Sequence, residues 1–267
     1  MKNNKMPLVS IIIPSFNSED FISQTINSII NQTYSNWELL ITDDYSKDET
    51  VNIVENYIKI DNRIKLYKFK KNLGSALARN NSIEHSKGTY IAFCDSDDFW
   101  DKNKLNHHVK FHQEKKVLFS FTNMRIVNEK GIVILKRQPV VRSKVNYKSL
   151  LKNNYIPTST VLINKALLCK YKFPNFRKKQ DYILWLHILN NESIEAYLLD
   201  NCLTSYRKHK NQITNNKLKL ITLHFSILRK TQDLSIFKSF VYTLSWGTFG
   251  FYKHFLKKNN DKKNNTF

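Results

Sequence analysis

The first strongly patterned segment, Leu8 to Ile13, is a continuous apolar, β-branched run ended by Pro14. A run without polar alternation has no solvent face, so it predicts a strand covered on both sides, as in the middle of a parallel sheet. Ser18 stands where it caps a helix with Phe21, Ile22, Ile26, Ile29 and Ile30 at helical spacing, and Trp37 to Thr42 reads as the next strand. The pattern then repeats. Val51 to Ile58 predicts a helix, Ile64 to Phe69 a strand, Ala76 to His85 a helix, and Thr89 to Cys94 a strand after the Lys87-Gly88 stop. Four strands alternating with three helices predict a doubly wound, Rossmann-like α/β sheet.

Beyond Asp101 a basic helix leads into Val117 to Val127, and Glu129-Lys130-Gly131 predicts a turn into Ile132 to Leu135, hence a hairpin. Thr158 to Ile163, Ile194 to Leu199 and Cys202 to Tyr206 read as strands, and Asp181 to Asn190 as a short helix. With 267 residues and 41% hydrophobic side chains, the chain has enough apolar matter for one large domain with an annex. Three widely spaced cysteines, Cys94, Cys169 and Cys202, indicate neither a disulfide framework nor a zinc cluster, which points to a reducing, cytoplasmic compartment.

Charge divides the chain unevenly. Residues 1–112 carry 14 basic and 14 acidic side chains and residues 113–267 carry 29 and 8, so the whole net charge of +21 lies in the second part. That asymmetry points to a polyanion or an anionic membrane surface, against the plainer reading of a lysine-biased solvated face. From Lys217 onward the pattern is helical, with ten basic residues against Asp233 and Asp261. Phe237, Phe240, Val241, Leu244, Phe251 and Phe255 fall near one helical stripe, and the 14 residues from Ser239 to Tyr252 carry no charge. At about 1.5 Å per residue they reach ~21 Å, short of a ~30 Å hydrocarbon core, so they predict an interfacial helix. A helix packed on the enzyme's own core explains the stripe equally well but leaves the flanking Lys238 and Lys253 without a role.

Acidic groups stand at the ends of the predicted parallel strands, where open α/β sheets hold ligands. Asp43-Asp44 ends the second strand, Asp95-Ser96-Asp97-Asp98 ends the fourth, and Asp181 opens a later helix. Pro14-Ser15-Phe16-Asn17 after the first strand is not the glycine-rich loop by which backbone N–H groups approach phosphate. Clustered carboxylates supply a different device, a hard divalent cation that bridges phosphate oxygens. The structural alternatives are that Asp98 or Asp101 caps the following helix, that Asp43-Asp44 forms a turn, and that Asp181 is a first-turn dipole partner.

Together these segments resemble family 2 glycosyltransferases. The resemblance rests on Val9 to Asn17, Ser28 to Tyr34, Asp43 to Thr50, Asn72-Leu73-Gly74 with Ala78-Arg79-Asn80, Tyr90 to Asp98, Gln180 to Leu186, and Tyr206-Arg207-Lys208-His209. It implies the glycosyltransferase A fold, a divalent metal (Mn2+ or Mg2+) and inversion at the anomeric carbon. On that likeness Asp44 accepts from the base of a nucleotide-sugar donor, while Pro14, Phe16, Asn17 and Asp43 line its pocket. Asp95 and Ser96 face the ribose and metal side, Asp97 is the principal metal ligand with Asp95 and His209, and Asp181 is the catalytic base. Arg79, Arg207 and His209 supply positive charge to the leaving diphosphate. Two positions depart from the family: Tyr45 stands where Gly is usual and Gln180 where Glu is usual.

The expected reaction moves a hexose or N-acetylhexosamine from a UDP-sugar to a hydroxyl of a lipid-linked or cell-surface polysaccharide or lipooligosaccharide acceptor, with no nucleic-acid partner. Residues 1–115 then bind donor, 116–214 bind acceptor and carry the base, and 215–267 form a basic tail on the inner face of the cytoplasmic membrane. A sugar nucleotidylyltransferase needs a Gly-rich, Arg-containing loop that is missing. A noncatalytic nucleic-acid or membrane-binding module leaves the acidic clusters unexplained, and a noncatalytic nucleotide-sugar-binding member would be told apart by donor binding without turnover.

Overall fold

The computed structural model describes residues 6–137, 142–209 and 217–248, the side chains of 217–219 excepted. Its first half realises the βα alternation: β1 (Val9–Ser15), α1 (Ile22–Ile30), β2 (Trp37–Asp43), α2 (Thr50–Ile60), β3 (Ile64–Lys68), α3 (Ser75–His85) and β4 (Tyr90–Phe93). These strands lie parallel in the order β3-β2-β1-β4. Every residue of β1 is buried, which is why its sequence shows no alternation. Val9, Ile11 and Ile13 pack with Ile22, Ile26 and Ile29 of α1 on one face, whereas Ile12 joins Leu40 and Ile83 on the other.

The second half contributes β5 (Phe99–Trp100), α4 (Lys104–Lys115), β6 (Phe119–Val127), β7 (Val133–Leu135), β8 (Lys144–Val145), α5 (Tyr147–Lys152), β9 (Val161–Asn164), α6 (Lys165–Lys170), α7 (Gln180–Asn191), β10 (Ala196–Arg207) and α8 (Lys217–Thr231), followed by a helix over 236–248. The sheet continues as β4-β9-β6-β10-β5, with β9 antiparallel to both its neighbours and the β6–β7 hairpin as expected. One sheet therefore crosses residue 115 without a break.

Local details differ from the sequence reading for definable reasons. Ser18 does not cap α1 with its side chain. Its carbonyl accepts from the N–H groups of Phe21 and Ile22, while its hydroxyl bonds Phe16 O and lies 2.7 Å from Ser96 Oγ. Thr158–Thr160 forms a 3-10 turn, with the Thr160 hydroxyl donating to Pro157 O, and only Val161–Asn164 is strand. The two late strands are one, β10, interrupted by bulges between Leu199 and Thr204.

Gly88 marks a close backbone approach. A Cβ there would lie 2.6 Å from both Ser10 N and Ser10 Oγ and 2.8 Å from Leu8 O. Gly88 also donates to Ser10 Oγ, which donates to the buried Glu38 carboxylate that caps Lys87 N–H. Gly88→Ala is expected to cost about 2–3 kcal/mol, because backbone must move to relieve the clash. Urea unfolding checks this; an unchanged midpoint would show that the β1–β4 edge yields freely.

Candidate active site at the strand ends

The parallel register aligns Ser15 with Asp43 and Ile12 with Phe93, so the acidic loops after β2 and β4 open at the same edge of the sheet as the loop after β1. Pro14 lies within β1 opposite Thr42. Asp43 and Asp44 are both buried. Asp43 accepts from Ser15 Oγ and from the backbone and hydroxyl of Ser46, which makes it the centre of its turn. Asp44 accepts from the N–H groups of Leu73 and Gly74 at 2.6 and 2.8 Å and so shapes the entry to α3. Phe16 and Tyr45 stand exposed at the rim. Asn17, at φ +46°, ties the two loops together, donating its N–H to Ser46 Oγ and accepting from Lys47 N–H.

Tyr45 keeps the turn that glycine would make. Its φ is +72°, the left-handed conformation, which costs a side-chain-bearing residue roughly 1–2 kcal/mol. The Lys47 ammonium, 3.4 Å from the ring centroid, offsets part of that cost.

The loop after β4 is held from several sides. Asp95 pairs with Arg79 at 2.6 Å and donates its N–H to Ser159 Oγ. Arg79 is buried, and its guanidinium also lies over the Phe173 ring. The Ser96 carbonyl accepts from Thr25 Oγ1. Asp97 Oδ2 lies 2.9 Å from His209 Nε2, and the His209 ring packs on Phe21. Asp98 is fully buried and accepts the Arg207 N–H instead of capping α4; Asp101 accepts from Asn103 N–H, two residues on, and the N-cap itself is Asn103, with no side-chain cap, so neither aspartate caps α4. Burial, followed by repulsion from neighbouring aspartates, pushes Asp97 and Asp98 above the ordinary carboxylate range.

Arg207 joins the acidic loop to its neighbours. It is buried, and its guanidinium donates to the carbonyls of Asp97 and Glu129 and to the Gln24 side chain. These bonds fasten the acidic loop to β10.

Asp181 sits in the first turn of α7, partly exposed, with Oδ2 accepting from the Thr158 hydroxyl at 2.9 Å. Thr158 is adjacent to Ser159, the partner of Asp95, so one short turn joins the Asp181 carboxylate to the acidic loop. Gln180, in the usual place of Glu, donates to Ser75 Oγ at 2.6 Å and pins the start of α7 to α3. Glu192 and Glu195 are remote from this end. Glu192 closes α7, 11 residues and about 17 Å along the helix, paired with Lys170, and Glu195 pairs with Lys144. Thr158, Ser159, Gln24 and Thr25 carry no local signature that a sequence reading could have used.

The donor set fits a hard divalent cation of the Mg2+ or Mn2+ type. Asp97 and His209 offer facing donors beside the Asp95 carboxylate, in a loop with more negative than positive charge. Among the described residues no group of three His, Cys, Asp or Glu is placed so as to hold a metal ion, and Asp95 is engaged by Arg79. Asp97 and His209 would serve an ion that takes one or two ligands from protein and completes its sphere with substrate phosphates and water.

Comparison with known proteins gives this geometry a family. The sequence pattern described as Glycosyl transferase family 2 matches residues 10–173. TuaG of Bacillus subtilis, named as a teichuronic acid biosynthesis glycosyltransferase, is 37% identical over 88% of this chain and 93% of its own. The UDP-Glc:α-D-GlcNAc-diphosphoundecaprenol β-1,3-glucosyltransferase WfgD of Escherichia coli is 37% identical over 96% of this chain and 98% of its own. Staphylococcus aureus TarS 1-349 in complex with UDP-GlcNAc superposes with a TM-score of 0.67 at 22% identity, covering 86% of this chain and 69% of TarS 1-349. The fold is that of the glycosyltransferase A enzymes, and the chain belongs to glycosyl transferase family 2 and is a glycosyltransferase.

Proposed function

We propose that the enzyme transfers a hexose or N-acetylhexosamine from a UDP-sugar to a hydroxyl of a lipid-linked saccharide acceptor, in one displacement that inverts the anomeric carbon. The observation that carries this reading is the Thr158–Ser159 turn, which ties the Asp181 carboxylate to the loop bearing Asp95 and Asp97. In the reaction the acceptor oxygen bonds to the anomeric carbon as the bond from that carbon to the β-phosphate oxygen breaks, and the electron pair leaves on the diphosphate. Asp181 takes the acceptor proton at Oδ1 while the Thr158 hydroxyl holds Oδ2. Asp97, with Asp95 and His209, would hold the divalent ion, which supplies positive charge to the leaving diphosphate. Arg79 orients Asp95, and Arg207 keeps the loop in register. Pro14, Phe16, Asn17, Asp43, Asp44 and Ser96 line the nucleoside side.

Residues 1–115 thus serve the donor and 116–214 the acceptor and base. A lipid-linked acceptor is supported by the diphosphoundecaprenol substrates in the names of WfgD and of WfaP, a second Escherichia coli relative 38% identical over 84% of this chain. No helix among the described residues is long and apolar enough to cross a membrane. The 236–248 helix supports peripheral docking from residue 215 onward on an anionic inner leaflet. Ser239 and Thr243 are buried while Ile236, Phe237, Phe240, Val241 and Leu244 are exposed, so the helix packs by its polar side and offers the apolar stripe outward. Phe251 and Phe255 lie outside the described residues. Removing everything after Asn215 would also remove Ile227 and Leu228 from the core, so the cleaner variant is Phe240→Glu with Leu244→Glu. Wild type is expected to float with phosphatidylglycerol vesicles at low salt and the double variant to stay behind; equal flotation would remove the docking role.

A further inference from the structure

The same tail helix reaches the segment that carries Asp181. Lys179, immediately before α7, has φ +57°, and α7 opens without a side-chain cap. The Lys179 ammonium is set among rings: His224 Nδ1 at 3.3 Å, the Trp246 centroid at 3.9 Å and the Tyr182 centroid at 5.7 Å. His224 of α8 and Trp246 of the 236–248 helix stack on each other with centroids 4.8 Å apart and planes 16° apart. Two pieces of the tail therefore meet on the residue that leads into Gln180 and Asp181. Burial lowers the Lys179 pKa to about 8, with Asp181 opposing the shift, so the contact holds a costly cation next to the base.

The helix that supplies Trp246 is bound to the enzyme by few apolar side chains. Its inner face offers Ser239 and Thr243 along with Tyr242 and Trp246, and its outer face leaves five large apolar side chains in water. Local stability of such an element is low. Its apolar stripe exists only while residues 236–248 are helical, so a lipid surface binds the helical state in preference to an unwound one and shifts the population toward it.

We propose that Lys179, His224 and Trp246 form a clamp through which the tail helix sets the position of Asp181, so that membrane contact orders the base. This rests on the reading of Asp181 as base and of the outer stripe as a docking face. Lys179 and Trp246 are positioning residues: neither needs to touch substrate. Releasing Trp246 frees the Lys179 side chain, and the left-handed residue then no longer anchors the first turn of α7 against Thr158.

The test compares the full-length wild type with Trp246→Ala, Trp246→Phe and the Phe240→Glu, Leu244→Glu double variant. Each is read with and without phosphatidylglycerol–phosphatidylcholine vesicles. Flotation reports docking, and hydrogen exchange of the peptide spanning residues 178–186 reports the clamp without requiring the natural acceptor. Release of UDP from UDP-glucose with Mn2+ reports kcat and KM. Vesicles are expected to slow exchange in that peptide about tenfold in wild type and to raise kcat with KM unchanged. Trp246→Ala is expected to float normally yet lose both responses, Trp246→Phe to recover them, and the double variant to neither float nor respond while keeping the basal rate. Vesicle responses in Trp246→Ala equal to wild type, or flotation of wild type without slower exchange, would overturn the proposal. Failure of wild type to float would sink the docking reading itself. The clamp would then be decided by exchange in Trp246→Ala against Trp246→Phe, equal rates overturning it.

Discussion

Asp181→Asn will bind UDP-sugar with wild-type affinity and lose transfer by about 10²- to 10⁴-fold, the range that general-base assistance supplies. The amide is nearly isosteric, and its oxygen still accepts the Thr158 hydroxyl, so the α7 start and the donor loops stay in place. What disappears is the ability to take a proton from the acceptor. Calorimetry with UDP and Mn2+ measures the retained step, and single-turnover transfer measures the lost one. A near wild-type rate would place the base elsewhere. Glu192 and Glu195 would be poor replacements, because both lie toward the far end of α7 and are engaged by lysines.

Asp97→Asn separates the other half of the site. It is expected to weaken Mn2+-dependent UDP binding about 100-fold or more, since the amide is a poor ligand for a hard cation and His209 alone does not replace a carboxylate. The fold will not suffer. Burial and Asp95 raise the Asp97 pKa above its unfolded value, with His209 pulling the other way. A carboxyl shifted in this direction contributes stability that is present below the unfolded pKa and is lost as pH rises through the folded one. The ionised group is therefore a liability in metal-free protein, and Asn removes it. Without metal the variant will melt at or above the wild-type temperature, and the wild-type rise in Tm on adding UDP and Mn2+ will be absent. Metal-dependent stabilisation equal to wild type would exclude Asp97 as a ligand. Asp95→Ala is a less clean probe, because Asp95 is the partner of the buried Arg79.

The parallel half of the sheet could be read from the amino-acid order alone. Its apolar runs and helical spacings are local properties, written within ten or so residues, and β1 to β4 follow them closely. The same order also located the acids, because strand ends are legible once strands are. What holds those acids is set by contacts between distant segments. Thr158 meets Asp181 and Ser159 meets Asp95 across 23 and 64 residues of chain, and no periodicity records a contact of that kind. The same limit applies to Arg207, which stands in a recognisable motif yet fastens the Asp97 loop with its guanidinium, since its partners, Gln24 and Glu129, come from distant segments. In the tail, the sequence determined that Phe237, Phe240, Val241 and Leu244 share one face. Which way that face turns was decided by packing: Trp246 stacks on His224 with Ser239 and Thr243 buried, and the stripe is left outside because a helix has only one side to give to the core.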